Sequence, residues 1–187
     1  MTARIITDVT STEEFGHFEG RVEAVWLPDG RDMELLGDFA YVDPAGKRWL
    51  APAGSRINGA SIPRQLWTAV GAPYCGRYRD ASVVHDVACV EASEPWPDVH
   101  RMFYHACRCG GVEERLAKIM YFAVYRGGPR WKTDRLARPI IVAETKPVAP
   151  PDDWSSRALR DAIGYIRVAN PTLAEIEELA SENELDF

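Results

Sequence analysis

The chain has 187 residues, a formal net charge of −6, a hydrophobic share of 46% and an aromatic share of 10%. That length and composition suit one domain with extensions, or two small domains, built on a true core. The negative charge argues against a nucleic-acid coat. No apolar run approaches the ~20 residues of a membrane span. The N-terminus lacks the basic, apolar, small-residue order of a signal peptide.

The four cysteines, Cys75, Cys89, Cys107 and Cys109, are read as reduced thiols, since nothing marks the chain for export. None of them forms a Cys-x-x-Cys pair, which argues against a structural zinc knuckle.

In chain order, residues 1–20 are polar and carry no period, as in a terminal arm or an edge strand. His17 there reads as an exposed bystander. Arg21 to Leu27 alternates Val22, Ala24 and Trp26 against Arg21, Glu23 and Val25, the pattern of a half-buried strand. Pro28-Asp29-Gly30 turns the chain. Met33 to Val42 predicts a second strand with a bend at Gly37. Asp43-Pro44-Ala45-Gly46 turns again, and Lys47 to Ala51 predicts a third strand. Turns this short make an antiparallel meander, read as a scaffold for the loop that begins at Gly54. Ser61 is placed as the N-cap of a short helix through Val70, with Pro63 in its first turn.

Helical periodicity dominates from Arg79 onward. Ala81, Val84, Val87 and Ala88 recur at three- and four-residue spacing, and Asp80 suits a first turn. A second helix is predicted from near Pro97 to Gly110-Gly111. On it His100 shares a face with Phe103, Tyr104 and Cys107 and is expected inside. His105 shares a face with Arg101, Arg108 and Cys109 and is expected in solvent. Val112 to Arg126 predicts a third helix with an apolar stripe of Leu116, Ile119, Met120 and Ala123. Thr133 to Asp152 is proline-rich, a linker or an extended wrap. Two helices close the chain: Asp153 to Arg167, then an acidic one through about Glu182, with Asn170 as N-cap and Pro171 at its first position.

The expected class is therefore α+β: a small antiparallel meander, a helical half, and a C-terminal helical extension. The chain divides into residues 1–132 (core about 33–131), a linker at 133–152 and an acidic extension at 153–187. The extension is either a solvated cap or a docking helix for a protein partner.

Chemistry-bearing residues crowd into Gly54 to Ala92. On a helix the neighbours of His85 are Ala81, Ser82, Ala88 and Cys89, all small. They leave room for another element, a substrate or an ion, and a His so placed can act as a base or a ligand. Asp86 lies about 100° further round the helix. Arg64 is the strong cation of the preceding loop. It suits either a substrate phosphate or carboxylate, or a brace on Asp86.

The loop Asn58-Gly59-Ala60-Ser61-Ile62-Pro63-Arg64, the step Gly76-Arg77-Tyr78 and the pair His85-Asp86 occur in that order. Together with His100-Arg101-Met102-Phe103-Tyr104 they resemble a phage and bacterial family known as domain of unknown function 1353. The resemblance covers about residues 33–131. Two positions depart from the pattern it implies: Asn58 and His100 stand where an Asp is usual. It implies no established activity.

Two classes of function remain open. In the first the protein is a phage-type hydrolase with His85, Asp86 and His100 as catalytic groups. Arg64, Asn58, Ser61 and Tyr78 would then bind a small-molecule, lipid or cell-wall substrate. There is a distant analogy of arrangement to phospholipase A2-like enzymes, which set a His-Asp helix against a second helix. Two imidazoles and one carboxylate (His85, Asp86, His100) suit zinc or manganese more than calcium, and a metal-bound water would be the nucleophile. In the second class the protein is a non-enzymatic phage-derived module, structural or binding a host factor, and the His-Asp pair is a structural polar network. Either way the expected location is cytoplasmic or virion-associated.

Overall fold

The computed structural model describes residues 14–30, 32–58, 76–132 and 156–181. Six short strands come first: β1 (His17–Glu19), β2 (Ala24–Trp26), β3 (Met33–Leu35), β4 (Phe39–Val42), β5 (Arg48–Ala51) and β6 (Arg56–Ile57). A 3-10 turn at Gly76–Tyr78 then leads into five helices: α1 (Arg79–Glu91), α2 (Trp96–Cys109), α3 (Glu114–Gly127), α4 (Ser156–Ala169) and α5 (Leu173–Ser181). The class is α+β. The loop carrying Ser61 and Arg64, and its expected helix, lie outside the described residues, as do Cys75 and the proline-rich stretch.

The strands do not form one meander. They make two antiparallel three-stranded sheets, ordered β1-β4-β5 and β2-β3-β6. The expected strand from Met33 to Val42 is two strands, one in each sheet. Leu36, Gly37 and Asp38 separate them, and the Asp38 carboxylate accepts the Ala53 N–H at 2.9 Å. Pairing in register sets Phe39 opposite Ala51 and Tyr41 opposite Trp49. Asp43 organises the intervening turn, accepting the Ala45 and Lys47 N–H groups on Oδ1 and the Trp49 indole N–H on Oδ2. Gly16 enters β1 at φ 77°, where a Cβ would lie 2.0 Å from the Val42 carbonyl oxygen. Only glycine fits so close to the neighbouring strand.

β2 departs from its expected alternation, since Val25 and Trp26 are both exposed, at 47% and 59%. Three residues on the edge of a small sheet cannot cover both faces.

Phe39, Tyr41 and Ala51 on the inner face of the first sheet are buried, as is the whole run Ala81 to Val87 of α1. α1 packs on β5 and β4 on one side and on α2 on the other. Its small residues permit that double approach. α1 ends at Ala92, held at φ 48° with its N–H on the Ala88 carbonyl. An αL alanine is strained by about 1 kcal/mol.

α3 starts two residues later than expected because Glu113 caps it, accepting the Leu116 N–H at 3.0 Å. It is buried from Ala117 to Tyr125, not along one stripe. α4 and α5 supply the second cover through Ile166, Ile176 and Ala180. Asn170 is not the N-cap of α5. It stands at φ 48° with its N–H on the Ile166 carbonyl, closing α4. The cap is Thr172, which exchanges hydrogen bonds with Glu175 (Thr172 N–H to Oε2 at 2.7 Å, Glu175 N–H to Oγ1 at 3.3 Å). This reciprocal Thr-x-x-Glu box satisfies two orphan donors at once, which a lone Asn-Pro start does not.

Candidate functional site

The site forms where α1 and α2 cross. His85 lies in the fully enclosed middle of α1, with Ser82 one turn before it bonded back to the Tyr78 carbonyl at 3.0 Å. His100 comes from the first half of α2, a helix opened by Trp96 and Pro97. Both imidazoles have no solvent exposure. His85 Nε2 and His100 Nδ1 stand 2.9 Å apart, one donating and one accepting, and the ring centroids are 5.1 Å apart. The small neighbours of His85 therefore make room for the second helix.

The surroundings are aromatic. Phe103 lies 4.7 Å from the His85 ring, and Trp96 5.5 Å from His100. Tyr125 and Trp131 each approach His100 at 6.4 Å, nearly edge-on. Gly128 closes the far edge of His100: a Cβ there would come within 2.9 Å of Cε1 and 3.0 Å of Nε2.

Such walls disfavour charge. Burial lowers the pKa of His85 well below the usual imidazole range, and His100 adds to the effect. Burial likewise lowers His100 to about 3, with the nearby Arg130 charge assisting and the Pro129 carbonyl opposing. Among the described residues His100 Nε2 makes no hydrogen bond. Both rings are neutral at pH 7.

Asp86 is buried and turned away from the imidazole pair. Its Oδ2 accepts the Asn58 backbone N–H at 3.2 Å, and Asn58 itself is exposed. Asn58 thus reaches the site through its main chain. Tyr78 is buried in the hydrophobic core next to the start of α1. Ser61 and Arg64 lie outside the described residues, so the expected Arg64–Asp86 brace does too.

Cys89 is the residue beside the imidazole pair that the motifs do not single out. It lies one turn after His85, half-buried, with Sγ 3.6 Å from His85 Nε2 and 3.9 Å from Nδ1. Among the described residues, His85, Cys89 and His100 bring metal-ligand atoms within 4.8 Å of one another. Asp86 does not belong to that group. The His-x-x-x-Cys spacing places both side chains on one helical face and was the available signal.

His105 corrects an expectation. It is half-buried, not solvated, with the Phe15 ring 6.2 Å and the Tyr104 ring 5.3 Å away. Its Nδ1 is buried without a partner among the described residues, and burial lowers its pKa. The segment entering β1 lies over this face of α2, also placing Gly16 against Cys109. Helical periodicity treats that face as open because it contains nothing about a strand ninety residues earlier.

The model of the family described as "Protein of unknown function (DUF1353)" matches residues 33–124. The match spans both sheets from Met33 onward and runs through α1, α2 and most of α3. Two relatives come from Sinorhizobium fredii (strain NBRC 101917 / NGR234). Uncharacterized protein y4jT is 40% identical over 128 residues, covering 67% of this chain and 38% of the relative. Uncharacterized protein y4iH is 37% identical over 122 residues, covering 65% of this chain and 51% of the relative. The chain thus spans about half or less of the curated relatives it matches. No solved structure matches. No helix among the described residues is long and apolar enough to cross a membrane.

Proposed function

The chain belongs to the DUF1353 family over residues 33–124, and from that premise we propose that the crossing of α1 and α2 is the centre of a metal-assisted hydrolase. The observation that carries the reading is the 2.9 Å contact between His85 Nε2 and His100 Nδ1, with the buried carboxylate of Asp86 adjacent in sequence but turned toward the Asn58 N–H. Two neutral imidazoles with converging nitrogens can hold a divalent ion. Zinc or manganese suits them better than calcium, which takes oxygen ligands. A water on that ion, with its pKa lowered toward about 7, is the nucleophile. The substrate is an ester, phosphodiester or amide of a small molecule, lipid or cell-wall polymer. Asn58 and Cys89 are the points where the site approaches solvent. The origin is phage or prophage, and the setting is cytoplasmic or virion-associated. A protein partner of α5 would meet its outward glutamates, Glu175 and Glu178, because Ile176 and Ala180 are already covered.

One observation favours a second reading. Both imidazoles are fully enclosed, as expected for a structural polar network in a non-enzymatic module. The deciding experiment is a screen of ester, phosphodiester and peptide substrates on the full chain, with zinc, with manganese and with chelator. Chelator-sensitive turnover that disappears in Asp86→Asn, with an unchanged melting curve, supports the hydrolase. Absence of turnover with either metal, together with severe destabilisation in His85→Ala, supports the structural module.

A further inference from the structure

We infer that His85, Cys89 and His100 form a soft transition-metal site, with the Cys89 thiolate as third protein ligand and Asp86 outside the coordination shell. The inference deepens the metal-assisted reading above and rests on it only for the presence of an ion, not for catalysis.

Geometry carries it. A tetrahedral zinc, with Zn–N of about 2.0–2.1 Å and Zn–S of about 2.3 Å, needs N···N near 3.3–3.4 Å and N···S near 3.6 Å. His85 Nε2 and Cys89 Sγ already stand 3.6 Å apart, and His85 Nε2 and His100 Nδ1 stand 2.9 Å apart. The N···S spacing matches, but Sγ also lies 3.9 Å from His85 Nδ1, where a tetrahedral ion on Nε2 would set it beyond about 5 Å, so binding turns the thiol toward the Nε2 lone pair and parts the two rings by about half an ångström. All three ligand atoms lie within 4.8 Å of one another. Two come from one helical face and the third from a helix packed against it, so the folded core preorganises the site.

The shell behind the ligands is consistent with this assignment. A ligating imidazole usually donates its other N–H to a carbonyl or carboxylate, which fixes its tautomer. His100 Nδ1 faces His85 Nε2 at 2.9 Å, so the tautomer with its proton on Nε2 directs the Nδ1 lone pair at His85. Gly128 permits this ring position, since a Cβ would lie 3.0 Å from Nε2. Cys89 is a thiol, not part of a disulfide. It is also the one ligand of the three with solvent exposure, so the fourth coordination position and the route for the ion lie on its side.

Binding is balanced in protons. The Cys89 thiol gives up its proton to solvent as the sulfur–metal bond forms. The His85 proton moves from Nε2 to Nδ1, and His100 keeps its own on Nε2. One proton leaves per ion bound. A thiolate with two imidazoles selects zinc over manganese, magnesium or calcium.

The test is titration of the chelator-stripped full chain with Co²⁺, followed by absorption spectroscopy, and then with Zn²⁺ as competitor. The expected result is one Co²⁺ per chain, visible bands of tetrahedral cobalt and a near-ultraviolet thiolate-to-cobalt band, all removed by Zn²⁺. Cys89→Ser abolishes the thiolate band and weakens binding by about 100-fold or more. Cys109→Ser, on the other side of α2, leaves both unchanged. No Co²⁺ binding, Co²⁺ binding without a thiolate band, or an identical spectrum from Cys89→Ser overturns the inference. These readouts need no turnover. A chain that binds Co²⁺ through Cys89 and hydrolyses nothing keeps this site and loses the hydrolase. Chelator-sensitive hydrolysis with a Co²⁺ spectrum that is the same in Cys89→Ser does the reverse.

Discussion

Two of the polar clusters that join helices among the described residues differ sharply in burial. His85 and His100 join α1 to α2 inside the core. Elsewhere on α2, Glu177 of α5 accepts from Arg101 at 2.5 Å and from the Tyr121 hydroxyl at 2.6 Å. The first cluster is enclosed, and burial disfavours charge on both its rings. The second keeps its charges: the Arg101 and Glu177 side chains are 47% and 21% exposed, and water supports them. Burial therefore sets which polar chemistry each seam can use. The core seam has a large share in stability and responds to protons. The rim seam has a small share and responds to salt.

That contrast can be broken most strongly with acid. The folded pKa of each core histidine lies below its unfolded value, so the unfolded chain binds more protons as pH falls. Stability from this pair is complete above about pH 6.5, the ordinary imidazole value, and is lost as pH falls toward the folded value, about 3 for His100,. Urea midpoints between pH 7 and 4 should decline steadily, and the decline should flatten in a His85→Asn/His100→Asn variant. An equal slope in both proteins would mean that carboxylates alone drive acid unfolding.

His85→Ala should cost about 3 kcal/mol. It opens a packed core beside Phe103 and leaves His100 Nδ1 without its partner. A urea-derived loss under about 1 kcal/mol would show that the pair is not enclosed in solution.

Next come two glycines that separate crowding from propensity. Gly128→Ala should destabilise by about 2 kcal/mol, since its Cβ would meet the Val124 carbonyl oxygen at 2.3 Å and the His100 ring. Gly164→Ala, in α4 with no described atom within 4 Å, should stabilise by about 0.5–1 kcal/mol. Thermal melts that move in the same direction would contradict the assigned packing.

The smallest effect belongs to the rim. Glu177→Gln should cost about 1 kcal/mol or less in low salt, and the difference should shrink in molar salt. A large, salt-independent loss would place Glu177 in the core class instead.

Parts of this arrangement are legible in the sequence. The α1 and α2 periodicities put His85 and His100 on inward faces, because a 3.6-residue repeat reports directly which side of a helix is apolar. The α+β class follows from short turns before Pro52 and long helical repeats after Arg79. The split of Met33–Val42 between two sheets is not legible. Gly37 signals a break, but a break is equally consistent with a bend inside one sheet. The role of Cys89 is partly legible from its one-turn spacing after His85. Its relation to His100 depends on how two helices cross.

While it placed the cap of α5 at Asn170, where the structure has Thr172, the sequence by itself determined that helices run through α1, α2 and α3 and that His100 turns inward. These are local properties, fixed by backbone geometry and by neighbours three or four positions away. Only the tertiary structure decided that β1 and its lead-in cover His105, that α4 and α5 enclose α3, and that Cys89, not Asp86, stands with the two histidines. Each depends on contacts between segments distant in sequence. Their geometry is set by how the whole set of apolar surfaces is buried together, and no single segment encodes it.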